Sequence, residues 1–378
     1  MSENSRFEFV VTARPSWSRV KNLVHEYLNL VDPRACSISL VGPALSDRYG
    51  KLHEQMPKGI VAKNFFTLQD GDELSTVAKS CLSGASALVQ SWELSCPGAV
   101  LVVADRTETL GVSTAASIMQ IPLVHLQGGE TSGSIDDKVR NANSQLADYH
   151  LTTNNNTAQR LIRMGRDEEK IAVIGCPSID IVKERIDLKA KINPYSTDYS
   201  GVGDEFSTQE DFGLILFHPD TFDRKSNKIW VESILESIEE STLNWFWFWP
   251  NPDYGSSEIA KLIRTKRESR TVNKIKFIVN LDPEKFIDLT LGARILLGNS
   301  SYGIREASYV GLPVINLGNR QKNRERSNNV LDINTPKNFM EDWKDHAIKS
   351  FERSLIYGEG NAGKLGAQAI RNWFPSIH

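Results

Sequence analysis

Apolar positions along the chain follow two alternating rhythms. Residues 7–12 form a short, largely apolar run with the look of a strand, and Val20, Leu23, Val24, Tyr27 and Leu28 then fall at i, i+3, i+4, i+7 and i+8, one face of a helix. The same run-then-helix rhythm returns at residues 36–41, 99–104, 122–126, 149–152 and 171–174. Strands separated by helical stretches do not pair as hairpins, so the pattern predicts a parallel sheet covered by helices on both faces. Residues 191–211 are rich in Ser, Asp, Gly and Tyr with no apolar period, as an interdomain linker would be. Beyond them, residues 214–217, 245–249, 275–279, 295–297 and 314–317 repeat the strand pattern. The run at 245–249 alternates Trp and Phe without basic residues between them, which reads as a buried strand and not a base-stacking platform. The expectation is an α/β protein of two Rossmann-like domains, residues 1–190 and 212–378, with the ligand cleft between them and the last helix packing back on the first domain.

Length and composition agree with this. At 378 residues the chain exceeds what one core supports, and 40% hydrophobic with 24% charged residues is globular composition. A net charge of -3 from 44 basic and 47 acidic residues offers no global field for nucleic acid or acidic lipid, so neither is expected as a partner. Residues 1–6 are polar, residues 7–11 are too short for a secretory core, and no apolar run approaches the ~20 residues of a membrane helix. A cytoplasmic location is expected. Cys36, Cys81, Cys96 and Cys176 lack CxxC spacing and sit in or beside apolar stretches, as reduced buried thiols do, so no disulfide or metal site is expected.

Candidate chemistry gathers where strands end. Residues 298–307 follow the 295–297 strand with Gly298, Ser300, Ser301 and Gly303 leading into a helix that carries Glu306; small residues, hydroxyls and a helix amino terminus suit a diphosphate, or else form an ordinary capped turn. Arg14, Arg106 and Arg320 each follow a strand, where a guanidinium fork would meet phosphate. Residues 128–137 place Glu130, Asp136 and Asp137 in a glycine-rich loop, with Asp105 and Glu108 after the neighbouring strand. Carboxylates in one place can hold unlike pKa values and act as acid and base, although Asp136 or Asp137 could equally cap a helix. His218 ends the first strand of the second domain. Residues 358–364 fit G-x-x-x-x-G-K, but Leu365 replaces the hydroxyl residue and no strand precedes it, so a P-loop is rejected. The first turn, Thr12-Ala13-Arg14-Pro15, is no dinucleotide fingerprint, and no cofactor is expected.

Several stretches, in this order, resemble the UDP-N-acetylglucosamine 2-epimerases and within them the hydrolysing branch of sialic-acid-type pathways. They are Ala104-Asp105-Arg106-Thr107-Glu108, residues 128–137, Gly175-Cys176-Pro177-Ser178, Phe217-His218-Pro219, Pro250-Asn251-Pro252-Asp253, residues 298–306, residues 313–318, Arg320-Gln321 and residues 357–361. The resemblance implies a GT-B-like fold, a UDP-N-acetylhexosamine or 2,4-diacetamido substrate, and a homodimer or homotetramer. Carried over by position, Asp105, Asp136, His218 and Glu130 are catalytic with Arg106 and Asp137 in support. Arg14, Ser18, Asn251, Asp253, Phe286, Ser300, Ser301, Gly303, Glu306 and Arg320 bind the nucleotide sugar. Three positions depart from the pattern: Gln127 stands where the family has a carboxylate, and Asn141 and Ala44 where it has histidines. An amide does not exchange protons at neutral pH. A GT-B glycosyltransferase and an inactive nucleotide-sugar binding protein are the competing readings.

Overall fold

A computed structural model describes residues 6–46, 52–69, 71, 73–133, 135–189, 199–220, 223–239, 241–250, 256–268, 275–279 and 281–374. The chain forms two compact units: unit 1 comprises Met1–Thr131, Asp136–Asp180 and Tyr357–His378, and unit 2 comprises Ser132–Ile135 and Ile181–Ile356.

In unit 1 the elements run β1 (Phe7–Val11), α1 (Arg14–Leu28), β2 (Cys36–Val41), β3 (Val61–Phe65), α2 (Leu74–Leu94), β4 (Ala99–Val103), α3 (Thr107–Ile118), β5 (Leu123–Leu126), α4 (Asp136–Leu146), β6 (Tyr149–Thr152), α5 (Asn155–Arg163), β7 (Ile171–Val173) and α6 (Pro177–Lys189), the last of which continues into unit 2. Seven parallel strands lie in the order β3-β2-β1-β4-β5-β6-β7. The chain starts near the middle, builds outward to β3, then returns to β4 beside β1. The order therefore reverses between β1 and β4, the point in such sheets where strand-end loops diverge and ligands bind.

Unit 2 contains β8 (Val202–Gly203), β9 (Phe212–Leu216), α7 (Arg224–Glu239), β10 (Asn244–Phe248), α8 (Ser256–Glu268), β11 (Ile275–Ile278), α9 (Pro283–Gly292), β12 (Ile295–Gly298), α10 (Ser301–Ile304), α11 (Glu306–Val310), β13 (Val314–Leu317), β14 (Val330–Ile333) and α12 (Met340–Ala347). Its sheet has the order β14-β13-β12-β9-β10-β11-β8, parallel except for β8, and reverses between β9 and β12. Trp245, Phe246 and Trp247 of β10 are buried among Ile, Leu and aromatic side chains, as the alternating run predicted.

Two boundaries differ from the sequence reading. The chain leaves unit 1 at Asp180–Ile181, inside α6, and not through a linker at 191–211. Residues 191–198 lie outside the described residues, but 199–211 are part of unit 2: β8 pairs with β11, and the rings of Tyr199 and Phe206 lie 5.7 and 4.7 Å from Phe246. Single aromatic anchors spaced among polar residues carry no period, which is why this edge read as a linker. Residues 357–374, which the sequence reading counted in the second domain with their helix packing back on the first, belong to unit 1. Helix α13 (Ala362–Trp373) packs on α1, with Ala367, Ile370, Trp373 and Phe374 in the same core as Phe7, Phe9 and Tyr27. Trp373 stacks on Tyr149 at 5.0 Å. Among the described residues no helix is long and apolar enough to cross a membrane.

The start of α13 is held by Asp180, whose carboxylate accepts from the backbone N–H of Ala362 at 2.9 Å and Gly363 at 2.6 Å. Burial dominates over these bonds and lifts the carboxyl to about 6. A folded-state value above the ordinary 3.8 means that the folded protein binds a proton the unfolded chain has released, so this group's contribution improves as pH falls from about 6 to about 4. Comparing melting temperatures of the parent and Asp180→Asn should therefore show the difference moving in the parent's favour between pH 7 and pH 4.5; a pH-independent difference would contradict the assignment.

Candidate active site

In unit 1 the residues that could carry chemistry sit on the loops after β1, β4 and β5. Arg14 begins α1 directly after β1, half-buried, and Ser18 one turn later donates to its carbonyl at 3.4 Å. Asp105 and Arg106 follow β4, and the Arg106 guanidinium pairs with Glu108 at 3.2 Å. Ala104, the residue that aims Asp105, has φ 56°, a left-handed conformation that a side chain makes costly.

The carboxylates are organised by Arg140 on α4, only 1% exposed. Its guanidinium pairs with Asp105, donates to Asp137 at 2.6 Å and donates to the Glu130 carbonyl at 3.1 Å. Arg160 donates to that same carbonyl at 2.9 Å. Asp136 and Asp137 form the first turn of α4, where acidic side chains favour the helix dipole; Asp137 turns to Arg140. Asp105, Asp137 and the backbone of Glu130 are thus brought together, with Asp136 adjacent in the chain.

Buried behind them, His125 lies within hydrogen-bond distance of Ser144 Oγ at 3.0 Å and the Ala104 carbonyl at 2.8 Å. Gly128 leaves room for this pair, since a Cβ there would press on both the His125 ring and Ser144. Arg140, His125, Asn143 and Ser144 were not among the candidates drawn from the sequence. The signal available was the spacing 137, 140, 143, 144, one helix face carrying only polar groups.

Gln127, in place of a carboxylate, is buried at φ 65° at the end of β5. Its Nε2 donates to Cys176 Sγ at 3.2 Å, and its Oε1 has no hydrogen-bond partner among the described residues. Asn141 Oδ1 accepts from Arg160 at 3.4 Å, and Ala44 is buried.

In unit 2 the loops flanking the reversal of strand order are tied to each other. The Asn299 side chain accepts from the His218 N–H at 2.8 Å and donates to the His218 carbonyl at 2.8 Å, joining the end of β9 to the end of β12. The Asn299 carbonyl accepts from Arg320 at 3.2 Å and Gln321 at 3.0 Å. Gly298 is required here: at φ 146° a Cβ would collide with the Leu216 carbonyl. Ser300 caps α10 by accepting from the Tyr302 N–H at 3.3 Å, the capped turn offered as the simpler reading. Ser301 accepts from the buried Arg305 at 3.1 Å, and Gly303 packs on Val314. The expected single helix is broken at Arg305, so α10 and α11 are four and five residues long and the dipole contributes little. Buried Glu306 opens α11. Phe286 packs edge-on to Tyr302 at 4.7 Å, one helix away from the loop. Asn251 and Asp253 lie outside the described residues. A cavity of about 620 Å³ opens at the opposite, amino edge of unit 1's sheet beside His150, Arg166 and Trp373, and none of the candidate residues lines it.

Comparison with known proteins gives a consistent family. The profile of UDP-N-acetylglucosamine 2-epimerase matches residues 40–371. A Legionella pneumophila protein named UDP-N,N'-diacetylbacillosamine 2-epimerase (hydrolyzing) is 32% identical over 302 residues, covering 79% of this chain and 77% of the relative. A Campylobacter jejuni protein named GDP/UDP-N,N'-diacetylbacillosamine 2-epimerase (hydrolyzing) is 29% identical over 85% of this chain and 83% of its own. The crystal structure of UDP-GlcNAc 2-epimerase from Neisseria meningitidis bound to UDP-GlcNAc superposes with a TM-score of 0.78 at 18% identity, covering 97% and 100% of the two chains, and shows the GT-B-like fold to be shared.

Asn299→Ala removes both bonds to the buried His218 backbone. A loss of about 2–4 kcal/mol in urea unfolding is expected, well above the ~0.5 kcal/mol of a surface change.

Proposed function

The chain belongs to the UDP-N-acetylglucosamine 2-epimerase family, and from that premise we infer that it is a hydrolysing member acting on a UDP-2-acetamido sugar, with a 2,4-diacetamido-6-deoxy sugar the preferred substrate. The substrate preference follows the names of the Legionella and Campylobacter relatives. The observation that carries the chemistry is the set of carboxylates gathered at the strand ends of unit 1 around one buried arginine.

The C2 proton of such a sugar is not acidified by a carbonyl, so its removal is coupled to departure of UDP from C1. Asp105 takes the proton; a guanidinium in contact favours the charged, proton-accepting form of a carboxylate. The C1–oxygen bond breaks, UDP leaves with the electron pair, and a C1–C2 double bond remains in a 2-acetamidoglucal. Water then adds its hydroxyl to C1 while a proton returns to C2 on the opposite face, giving UDP and the free C2-inverted sugar. Asp136 supplies the second acid–base group, with Glu130, Asp137 and Arg106 in support. The nucleotide-sugar residues of this reading are Ser300, Ser301, Gly303, Glu306, Arg320 and Phe286 in unit 2, with His218 for the diphosphate or sugar, and Arg14 and Ser18 in unit 1; Asn251 and Asp253 belong to the same reading. Fixed donors facing the leaving diphosphate lower the barrier to such a step more than any other single contribution. Gln127 takes no proton in this scheme. A homodimer or homotetramer working in the cytoplasm belongs to the same reading.

Gln127 also favours a second reading, a protein that binds the nucleotide sugar without turning it over. Proton NMR in heavy water with UDP-N,N'-diacetylbacillosamine and with UDP-N-acetylglucosamine separates the possibilities. Free UDP and a free sugar deuterated at C2 are expected. Epimerised UDP-sugar without UDP release would make the enzyme non-hydrolysing, and binding with an unchanged spectrum would favour the binding protein. Asp105→Asn should lower kcat by roughly 10²–10⁴-fold with UDP affinity retained; undiminished turnover would remove Asp105 from the role.

A further inference from the structure

Helix α4 buries its polar face. Of its buried residues, Val139, Arg140, Asn143 and Ser144, all but the valine are polar. With Asp137 they fall three and four apart along one side of the helix. A helix on a sheet normally turns an apolar stripe inward, and buried amides, hydroxyls and guanidinia are costly unless bonded.

The partners explain the inversion. Arg140 grips the Asp105 carboxylate itself. Asn143 Nδ2 donates to the Ala104 carbonyl at 3.3 Å and to Thr109 Oγ1 at 3.0 Å. His125 Nε2 meets the same Ala104 carbonyl at 2.8 Å. A carbonyl only accepts, so Nε2 carries the ring proton and Nδ1 accepts from Ser144. Burial pulls the ring down to about 4 and so keeps it in this neutral form. Two donors from two elements therefore converge on the carbonyl of a residue held in a left-handed conformation immediately before Asp105.

Asn143 is an odd residue to keep there for stability alone. It is fully buried, and its Oδ1 has no hydrogen-bond partner among the described residues. An unmet buried acceptor costs about 1–3 kcal/mol, a penalty an apolar side chain of the same size would avoid. Its other half, Nδ2, goes to the carbonyl of Ala104, a residue held in a strained, left-handed conformation.

The geometry points to Asn143 as a positioning residue for the reaction: with His125 it clamps the Ala104 carbonyl, fixing the strained peptide from which Asp105 projects and so the place of the Asp105 carboxylate. This rests on the reaction assigned above, in which Asp105 takes the C2 proton.

Asn143→Leu tests it through steady-state kinetics and a crystal structure of the variant. We expect kcat to fall by roughly 10- to 100-fold, as for a misplaced catalytic group, and KM to stay within about two-fold. In the crystal structure Ala104 should leave the left-handed region or the Asp105 carboxylate should shift. Ala104→Gly removes the strain that the clamp opposes, so the double variant should recover roughly ten-fold of the lost kcat; a purely structural role would give no such rescue. Should the leucine variant not fold, Asn143→Ala carries the same measurements. A kcat within about two-fold of the parent, or a loss that Ala104→Gly does not relieve, overturns the clamp. A parent with no turnover overturns the assigned reaction instead, and the variant structure then decides: an unmoved Ala104–Asp105 segment overturns the clamp on its own.

Discussion

One buried guanidinium organises the chemistry-bearing end of unit 1. Arg140 is withdrawn from water, a step that costs several kcal/mol per ion unless opposite charge and hydrogen bonds offset it. The offset comes from three places in the chain: Asp105 after β4, the Glu130 carbonyl after β5, and Asp137 in the first turn of α4. Neither the loop after β4 nor the loop after β5 can move away from α4 without uncovering the charge. The placing of Asp105 and of the Glu130 backbone is therefore dictated by a helix packed on the sheet, a stiffer reference than the loops that carry them.

Unit 2 meets the same requirement without charge. There the neutral amide of Asn299 uses both its donor and its acceptor on the His218 backbone, fully matched, and its carbonyl collects Arg320 and Gln321. A neutral lock is insensitive to salt and pH over the working range, whereas an ionic one polarises what it touches. The division fits the two tasks proposed for the units: protons to move in unit 1, and a polyanion to hold in unit 2. Gln127 lies between these cases, an amide in a left-handed strand end with only its donor engaged among the described residues.

The parallel strands of both sheets were legible because β1, β2, β4, β9 and β10 are buried at every position and therefore read as largely apolar runs, even where Glu8, Ser37 and Ser39 interrupt them. The strands β3, β8 and β14 were not, since edge strands alternate or expose their side chains and lose that signature. The same effect made residues 199–211 look like a linker. At the site, Asp105, Glu130, Asp136, Asp137 and His218 were visible as titratable groups following strands. Arg140, His125 and Asn143 were not, because their roles depend on which face of α4 turns inward and on the register that sets β5 beside β4, neither of which a local window contains. The break at Arg305 was hidden for a related reason: it falls at a buried arginine whose surroundings no local window contains.

The return of α13 to unit 1 has a consequence for biosynthesis. A ribosome delivers residues 1–180 first, yet the core that encloses Phe7, Phe9 and Tyr27 also contains Ala367, Ile370, Trp373 and Phe374, which emerge only after all of residues 181–356. Until then the face of α1 that receives α13 stays uncovered, and Asp180 has no helix to cap. All of unit 2 is synthesised before α13, but unit 1 waits for that helix, so the first domain to be started is the last to have all its parts. During that interval the exposed apolar surface is a natural point for chaperone engagement, and a premature stop after residue 356 would leave a finished unit 2 joined to an open unit 1.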